Sequence, residues 1–259
     1  MSTHRKAPRV HVHVPLPEFP KFENTLRSLG VGMELYIGSQ VIDGVTENDL
    51  HDLAARFDWG GTMSIHSPFM DLSPGALDPK IGAATLERYL QVISFAEILR
   101  PDVVVFHSGY EAWKYAGKVG LWMEPSVRTW RKVMEHAEKI GVKVAVENIV
   151  DAEPDHMVQL ADEVNHPLFG LCLDVGHREI FSELPVVDWA RGFGRHIFEL
   201  HLHDNLGAAD DHMPIGEGVI DFDGLFEEVR ALGIDPVYTL EAHSAEDAMV
   251  SLERVKRYL

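Results

Sequence analysis

The sequence predicts an α/β protein whose single domain, residues 1–259, folds as a (β/α)8 TIM barrel. Eight short apolar runs recur along the chain, and each is followed by a longer amphipathic stretch. The length of 259 residues is close to the roughly 250 residues at which such barrels fold as one unit. The hydrophobic fraction of 46% is ample for a core of that size.

Each apolar run is a predicted strand. Several runs consist almost wholly of Val, Ile, Leu and Phe, as expected for parallel strands that are buried on both faces. In chain order the runs are Arg9–Leu16, Met33–Gly38, Thr62–Ser67, Asp102–Ser108, Lys143–Ile149, Phe169–Val175, Ile197–His203 and Val237–Ala242.

Helical periodicity fills the segments between the runs. Thr46, with Asp49 three residues later, predicts an N-cap for the second helix. Gly141 and Gly233 follow two periodic stretches, where glycine commonly ends a helix. The predicted helices with the clearest boundaries are Pro79–Leu99, Glu124–Ile140 and Phe222–Leu232.

A doubly wound open sheet is the alternative architecture for alternating strands and helices. Such a sheet usually has a glycine-rich phosphate-binding turn after its first strand. Here the first run leads into Pro15-Leu16-Pro17-Glu18, so the closed barrel is favoured.

The charge balance limits the partners that we expect. Lys and Arg number 23 against 41 Asp and Glu, so the net charge is −18. Nucleic acids and anionic membranes are held by clustered Lys and Arg, so neither is an expected partner. We expect a small-molecule substrate, and a homo-oligomer is among the expected assemblies for a barrel of this size.

The lone Cys172 and the hydropathy of the chain predict a cytoplasmic location. One cysteine excludes an internal disulfide framework, and its apolar surroundings indicate a buried hydrophobe rather than a nucleophile. His11, His13, Pro15 and Pro17 interrupt the only segment that resembles a signal peptide. No run of about 18 apolar residues is present, so no membrane span is expected.

Polar residues stand at the carboxyl ends of the predicted strands. In a barrel these ends share one face, where active sites lie. Burying several carboxylates together is costly unless cations balance them, and a mixed imidazole and carboxylate set suits Zn, Mn, Co or Fe better than Ca. The convergence therefore predicts a metal site. The six residues are His66, His107, Glu147, Asp174, His201 and Glu241.

The other histidines, from a total of 15, receive different predictions. His203 and Asp204 alternate with His201, and we expect them to orient ligands rather than to bind metal. For His11 and His13 we expect structural roles, since the first strand offers no carboxylate beside them. Surface or packing roles are expected for His4, His51, His136, His156, His166, His196 and His243.

Five segments together resemble the xylose-isomerase-like barrel superfamily, which includes sugar and sugar-phosphate isomerases and epimerases and the family 2 apurinic endonucleases. The resemblance covers nearly the whole chain. It implies one divalent metal (Mn, Zn or Co), with Glu147, Asp174, His201 and Glu241 as ligands. The segments are Val146–Asn148, Leu173–His177, His201–Asn205, Asp210–Gly218 and Leu240–Glu241.

The resemblance to the endonucleases implies capacity for up to three metals. The positions of their additional ligands all carry a metal-binding residue type in this chain. The Asp-x-His spacing favours Asp210 over Asp211 as one of them. The additional candidate ligands are His66, His107, His177, Asp210 and His212.

Two reactions fit this ligand set. The favoured one is an isomerase or epimerase acting on a small sugar or sugar phosphate through a metal-stabilised enediolate. In it Glu147 and Glu241 would exchange the proton on opposite faces of the substrate, and His177 would hold a hydroxyl group or relay a proton. The alternative is a multinuclear-metal hydrolase of a small phosphoester rather than DNA. A binding barrel without catalysis is a third class, but none of the expected ligands is missing.

The loop after the fourth strand suggests substrate contacts. We expect Trp113 to stack on a sugar ring and Lys114 to meet a phosphate or carboxylate group. Packing of this loop on the barrel rim is the alternative.

Overall fold

The computed structural model describes residues 9–259, in which eight parallel strands form a closed barrel. The first strand pairs with both the second and the eighth, which excludes the open sheet and confirms the predicted architecture. His4 lies outside the described residues. The strands are β1 Arg9–Pro15, β2 Gly32–Tyr36, β3 Met63–His66, β4 Val103–His107, β5 Lys143–Glu147, β6 Phe169–Asp174, β7 Ile197–Leu202 and β8 Val237–Leu240.

Helices follow the strands and cover the outside of the barrel. The buried hydrophobic residues form one large cluster and a small second cluster that includes Cys172. The helices are α1 Phe19–Leu29, α2 Glu47–Arg56, α3 Pro79–Leu99, α4 Val119–Ile140, α5 Asp155–Val164, α6 Val175–Phe181, α7 Val186–Phe193, α8 Phe222–Leu232 and α9 Ala245–Val255. Within residues 9–259, none of the helices has the length and apolar character needed to cross a membrane.

Local signals set several boundaries as predicted. The Thr46 hydroxyl accepts from the Asp49 backbone N–H at 3.2 Å, and the Asp49 carboxylate accepts from the Thr46 N–H at 2.9 Å. This capping box satisfies two donors that would otherwise lack partners at the start of α2. Helix α4 differs, since it begins at Val119 rather than at Glu124. Its early turn is held by Trp122, which is fully buried and donates its indole N–H to the Ser108 carbonyl.

Candidate metal and substrate site

A cavity of about 790 Å³ opens at the carboxyl ends of the strands. Its polar wall contains residues from the ends of several strands, including His66, His107, Glu147 and Glu241. Its other wall is apolar and aromatic, with Tyr36 and Phe69 among the lining residues and others in the loops after β3 and β5. The cavity thus joins a polar floor to an apolar rim, as small-molecule sites commonly do.

Three predicted carboxylate ligands converge on one imidazole nitrogen of the fourth ligand. His201 Nδ1 lies 3.6 Å from Glu147 Oε2, 3.7 Å from Asp174 Oδ2 and 3.3 Å from Glu241 Oε1. This nitrogen is buried and has no hydrogen-bond partner among the described residues. A buried polar atom that faces three carboxylates is unfavourable unless a proton or a metal cation lies among them. The donor set therefore fits a divalent metal.

A second cluster forms around the other side of Glu147. Its Oε2 atom lies 3.2 Å from His66 Nε2 and 3.3 Å from His107 Nε2. His66 Nδ1 lies 2.9 Å from the Ser67 carbonyl, to which it can only donate, so in the neutral ring Nε2 carries the lone pair. That lone pair faces the cluster, as a metal ligand requires.

A third cluster lies on the opposite edge of the same cavity. Asp210 Oδ2 is 3.4 Å from His177 Nε2 and 3.1 Å from His212 Nε2. His177 Nδ1 lies 3.2 Å from Glu147 Oε1, which links this cluster to the other two. The structure therefore brings all nine candidate ligands into one connected group around Glu147.

The imidazoles keep the carboxylates of this group ionised. Burial opposes ionisation of Glu147, yet His107 and His201 hold its pKa well below its usual range. The pKa of Glu241 is likewise lowered, against burial, by His201 and His13. Against burial, the Asp174, Asp210 and Glu147 carboxylates raise the pKa of His177 to about 12. The carboxylates of the site are therefore ionised, as metal ligands must be.

His203 and Asp204 have different contacts. His203 Nε2 lies 3.2 Å from both carboxylate oxygens of Asp174, so it can orient that residue, as expected from the sequence. Asp204 instead accepts backbone N–H groups of Gly216 at 2.9 Å and of Ile220 at 3.2 Å. It therefore holds the loop that carries Asp210 and His212, rather than orienting a ligand side chain.

The two predicted substrate contacts fall in different environments. Lys114 lines the cavity and is the one lysine or arginine among its described lining residues. Trp113 is 79% exposed, donates its indole N–H to Glu111 and does not belong to the cavity lining. The expected stacking of Trp113 on a sugar ring is therefore not supported by its position, because the turn in this loop directs it to solvent.

Two residues in or beside the cavity, His13 and Glu34, were misjudged or missed from the sequence, whereas His243 keeps a surface and packing position. His13 does have carboxylate neighbours, since its Nδ1 lies 2.8 Å from Glu34 Oε1 and 3.3 Å from Glu241 Oε1. His243 lines the cavity and stacks on His212 with ring centroids 4.5 Å apart. Glu34 was overlooked, although a glutamate between two buried apolar residues in a predicted strand was a usable signal.

His11, in contrast, has the expected structural role. It is fully buried on β1, and its two ring nitrogens have the hydroxyl groups of Ser64 and Thr62 as partners, each at 2.8 Å. Its side chain does not belong to the cavity lining. The two histidines of the first strand therefore have different surroundings: His13 lies beside the site, and His11 lies in the packed interior.

A sequence profile described as the xylose isomerase-like TIM barrel matches residues 26–258, and the chain belongs to this family. Among curated relatives, the uncharacterized protein MJ1311 of Methanocaldococcus jannaschii is 29% identical over 202 residues, which are 75% of this chain and 69% of the relative. L-ribulose-5-phosphate 3-epimerase UlaE of Escherichia coli is 25% identical over 198 residues, which are 71% of this chain and 66% of UlaE.

Solved structures show the same fold. A D-tagatose 3-epimerase-like protein superposes with a TM-score of 0.83 at 23% identity, covering 96% of both chains. The TTHB071 protein of Thermus thermophilus, from a crystal soaked with ZnCl2, has a TM-score of 0.83 at 26% identity, covering 96% of this chain and 97% of its own. These comparisons confirm the predicted fold and superfamily.

Proposed function

We propose that this protein is a divalent-metal-dependent isomerase or epimerase of a small sugar or sugar phosphate. The observation that carries the proposal is the convergence of Glu147 and Glu241 on His201 Nδ1 at the floor of the cavity. The activities named for UlaE and for the D-tagatose 3-epimerase-like protein support an isomerase- or epimerase-like enzyme. Epimerisation at C3 of a ketose is therefore the reaction to test first.

In this proposal Glu147, Asp174, His201 and Glu241 hold the metal, which when bound supplies a Lewis acid to substrate oxygens. Glu147 and Glu241 also serve as the two proton-transfer groups: one, as the carboxylate, takes the carbon-bound proton from one face, and the other, as the carboxylic acid, donates a different, solvent-derived proton to the opposite face. His177, which contacts Glu147, holds a substrate hydroxyl group or relays a proton. The burial of Glu147 and Glu241 within the barrel mouth limits competition by water.

Zinc, manganese and cobalt are the metals that suit this imidazole and carboxylate set. Zinc is the first to test because the similar TTHB071 protein was soaked with ZnCl2. The cytoplasmic location and a homo-oligomeric assembly stay predictions.

The test measures the exchange of the C3 proton of a ketose with solvent, in addition to the formation of product. The zinc- or manganese-loaded protein is incubated with D-tagatose, L-ribulose and L-ribulose 5-phosphate in D2O, and NMR follows deuterium at C3. We expect exchange with at least one ketose and its loss in Glu147→Gln. Glu111→Gln is the matched control, since Glu111 lines the cavity but contacts Trp113. Exchange that persists in Glu147→Gln contradicts the proposed role of this residue.

The nine clustered ligands favour a second candidate function, hydrolysis of a small phosphoester by two or three metals. In it the clusters around His107 and around Asp210 hold the additional metals. DNA stays the least expected substrate at a net charge of −18. Metal content per chain separates the candidates, since about one metal supports the isomerase and two or three support the hydrolase. Activity on a phosphodiester without C3 exchange would remove the leading proposal.

A further inference from the structure

Glu34 is a buried carboxylate that lies beneath the proposed metal site. It lies in the middle of β2, between Met33 and Leu35, and all three residues are fully buried. A carboxylate at such a position costs free energy unless its oxygens accept strong hydrogen bonds. Both of its oxygens do have partners, and both partners are imidazoles.

The first partner is a proposed metal ligand. Glu34 Oε2 lies 3.0 Å from His201 Nε2, so this ring nitrogen donates to the carboxylate. The opposite nitrogen, Nδ1, is then left with its lone pair directed among Glu147, Asp174 and Glu241. A carboxylate behind a metal-binding imidazole fixes the tautomer and the ring orientation and raises the basicity of the ligand.

The second partner leads to another proposed ligand. Glu34 Oε1 lies 2.8 Å from His13 Nδ1, and the same nitrogen lies 3.3 Å from Glu241 Oε1. The pairing of β1 with β2 places His13 directly opposite Glu34, so the contact is built into the barrel register. One carboxylate therefore contacts His201 directly and Glu241 through His13.

We propose that Glu34 is a positioning residue that orients His201 and Glu241 for the metal. The inference rests on the metal site of the proposed function and is independent of which reaction that site catalyses. The fold alone does not require a buried carboxylate at this position of β2, and the proposed role explains why one is present.

Glu199 offers a matched control. It is also a fully buried glutamate, on β7, but its partners are the hydroxyl groups of Ser64 and Thr239. Among the described residues, no hydrogen bond of Glu199 reaches a proposed metal ligand. A ligand atom of Glu199 lies within 4.8 Å of His201, so Glu199→Gln controls for the replacement of a buried carboxyl group that is near this ligand without a hydrogen bond to it.

The test compares Glu34→Gln with Glu199→Gln by zinc affinity, measured by chelator competition and calorimetry on the full-length protein. We expect Glu34→Gln to weaken zinc binding by about 10- to 100-fold, the usual effect of losing such a partner. Glu199→Gln should weaken zinc binding by less than about threefold, since Glu199 is not such a partner of a ligand. Equal zinc affinity in Glu34→Gln and wild type, or an equal loss in both variants, overturns the inference.

A spectroscopic readout separates orientation from general destabilisation. In the zinc-loaded protein, NMR should show the His201 Nε2–H as a downfield, slowly exchanging resonance that Glu34→Gln shifts or removes and Glu199→Gln retains. If Glu34→Gln does not fold, His13→Gln is the second variant, because it removes the contact of Glu34 with Glu241 through His13 and leaves the contact with His201 intact. We expect the His13→Gln variant to keep the His201 resonance and to bind zinc more weakly. Unchanged zinc affinity in that variant overturns the inference.

The outcomes also separate this inference from the proposed reaction. Zinc binding that depends on Glu34, without ketose exchange, removes the proposed reaction and supports the inference. Ketose exchange together with a zinc affinity that does not depend on Glu34 supports the proposed reaction and overturns the inference about Glu34. A wild-type protein that binds no zinc contradicts both.

Discussion

His66 Nε2 and His107 Nε2 lie 3.3 Å apart, on the carboxyl ends of two adjacent strands. Two imidazole nitrogens at this distance need either a shared proton or a shared cation. Both also lie within 3.3 Å of Glu147 Oε2, so a cation at this point would meet three ligand atoms. The pair is thus the point at which a second metal is best supported.

The first prediction concerns metal content. In a protein that binds two or more metals, as the second candidate function requires, His107→Gln should lower the number bound per chain by about one, because the amide is a much poorer ligand than imidazole. Elemental analysis of protein purified without chelator measures this number. His136→Gln is the control, since His136 is an exposed helix residue whose ring contacts the Lys132 carbonyl in its own turn. Equal metal content in His107→Gln and wild type would contradict a metal at this pair.

The second prediction concerns substrate charge. Lys114→Met should lower kcat/KM for a ketose phosphate by about tenfold or more, since a charge-assisted hydrogen bond contributes roughly 1.5–3 kcal/mol. The value for the unphosphorylated ketose should change little. Steady-state kinetics with both substrates measures the ratio.

Trp113→Ala is the neighbouring control, because Trp113 is 79% exposed and lies outside the cavity lining. It should leave both kinetic constants within about twofold of wild type, as expected for a surface substitution. An equal loss on both ketoses in Lys114→Met would show that Lys114 does not recognise a phosphate group.

The third prediction concerns acid stability. Burial lowers the pKa of His11 from its usual 6.5 to about 4, and its ring nitrogens contact the hydroxyl groups of Ser64 and Thr62. Between these pH values the unfolded chain binds a proton that the folded chain does not. The stability due to this histidine is therefore present above pH 6.5 and is lost as pH falls towards 4, by up to about 1.4 kcal/mol per pH unit.

Urea unfolding of wild type and His11→Gln across this range tests the prediction. The variant is less stable at neutral pH, since it loses buried hydrogen bonds, but its stability should fall less steeply below pH 6.5. His51→Gln, at an exposed position on α2, should keep the wild-type slope. Parallel curves for His11→Gln and wild type would contradict a neutral buried His11.

The fourth prediction concerns close packing beside the site. A methyl group at Gly176 would lie 1.9 Å from His203 Cε1, so Gly176→Ala must displace the imidazole that contacts Asp174. We expect a loss of about 1–3 kcal/mol in the free energy of unfolding, together with weaker zinc binding. Gly120→Ala, in the first turn of α4 with no atom near its added methyl group, should be neutral or slightly stabilising. Wild-type stability in Gly176→Ala would show that His203 moves freely.

Much of the fold could be predicted because its signals are local. The helix Pro79–Leu99 has the predicted bounds, since Asp78 caps its first turn and its buried face has helical spacing. The start of α4 could not be predicted, because the burial of Trp122 depends on the neighbouring loop. The carboxyl ends of the strands lie one or two residues before the ends of the predicted apolar runs.

Some residues of the candidate site could likewise be predicted from the sequence, and others could not. Glu147 and His201 were predictable, because a polar residue at the end of a buried parallel strand must lie on the carboxyl face of the barrel. Trp113 and Lys114 are adjacent in the chain, yet only Lys114 lines the cavity, since the loop conformation directs successive side chains differently. Sequence order carries little information about that direction.

By itself, the sequence determined the alternation of strands and helices, the barrel and the set of residues at its carboxyl face. The tertiary structure alone decided that His13 and Glu34 belong beside them, because closure and register bring β1 next to both β2 and β8. Residues that are distant in the chain become hydrogen-bonded pairs only when the barrel closes. The physical reason is that strand burial is encoded locally, whereas the partner of a buried polar group is set by the register between strands.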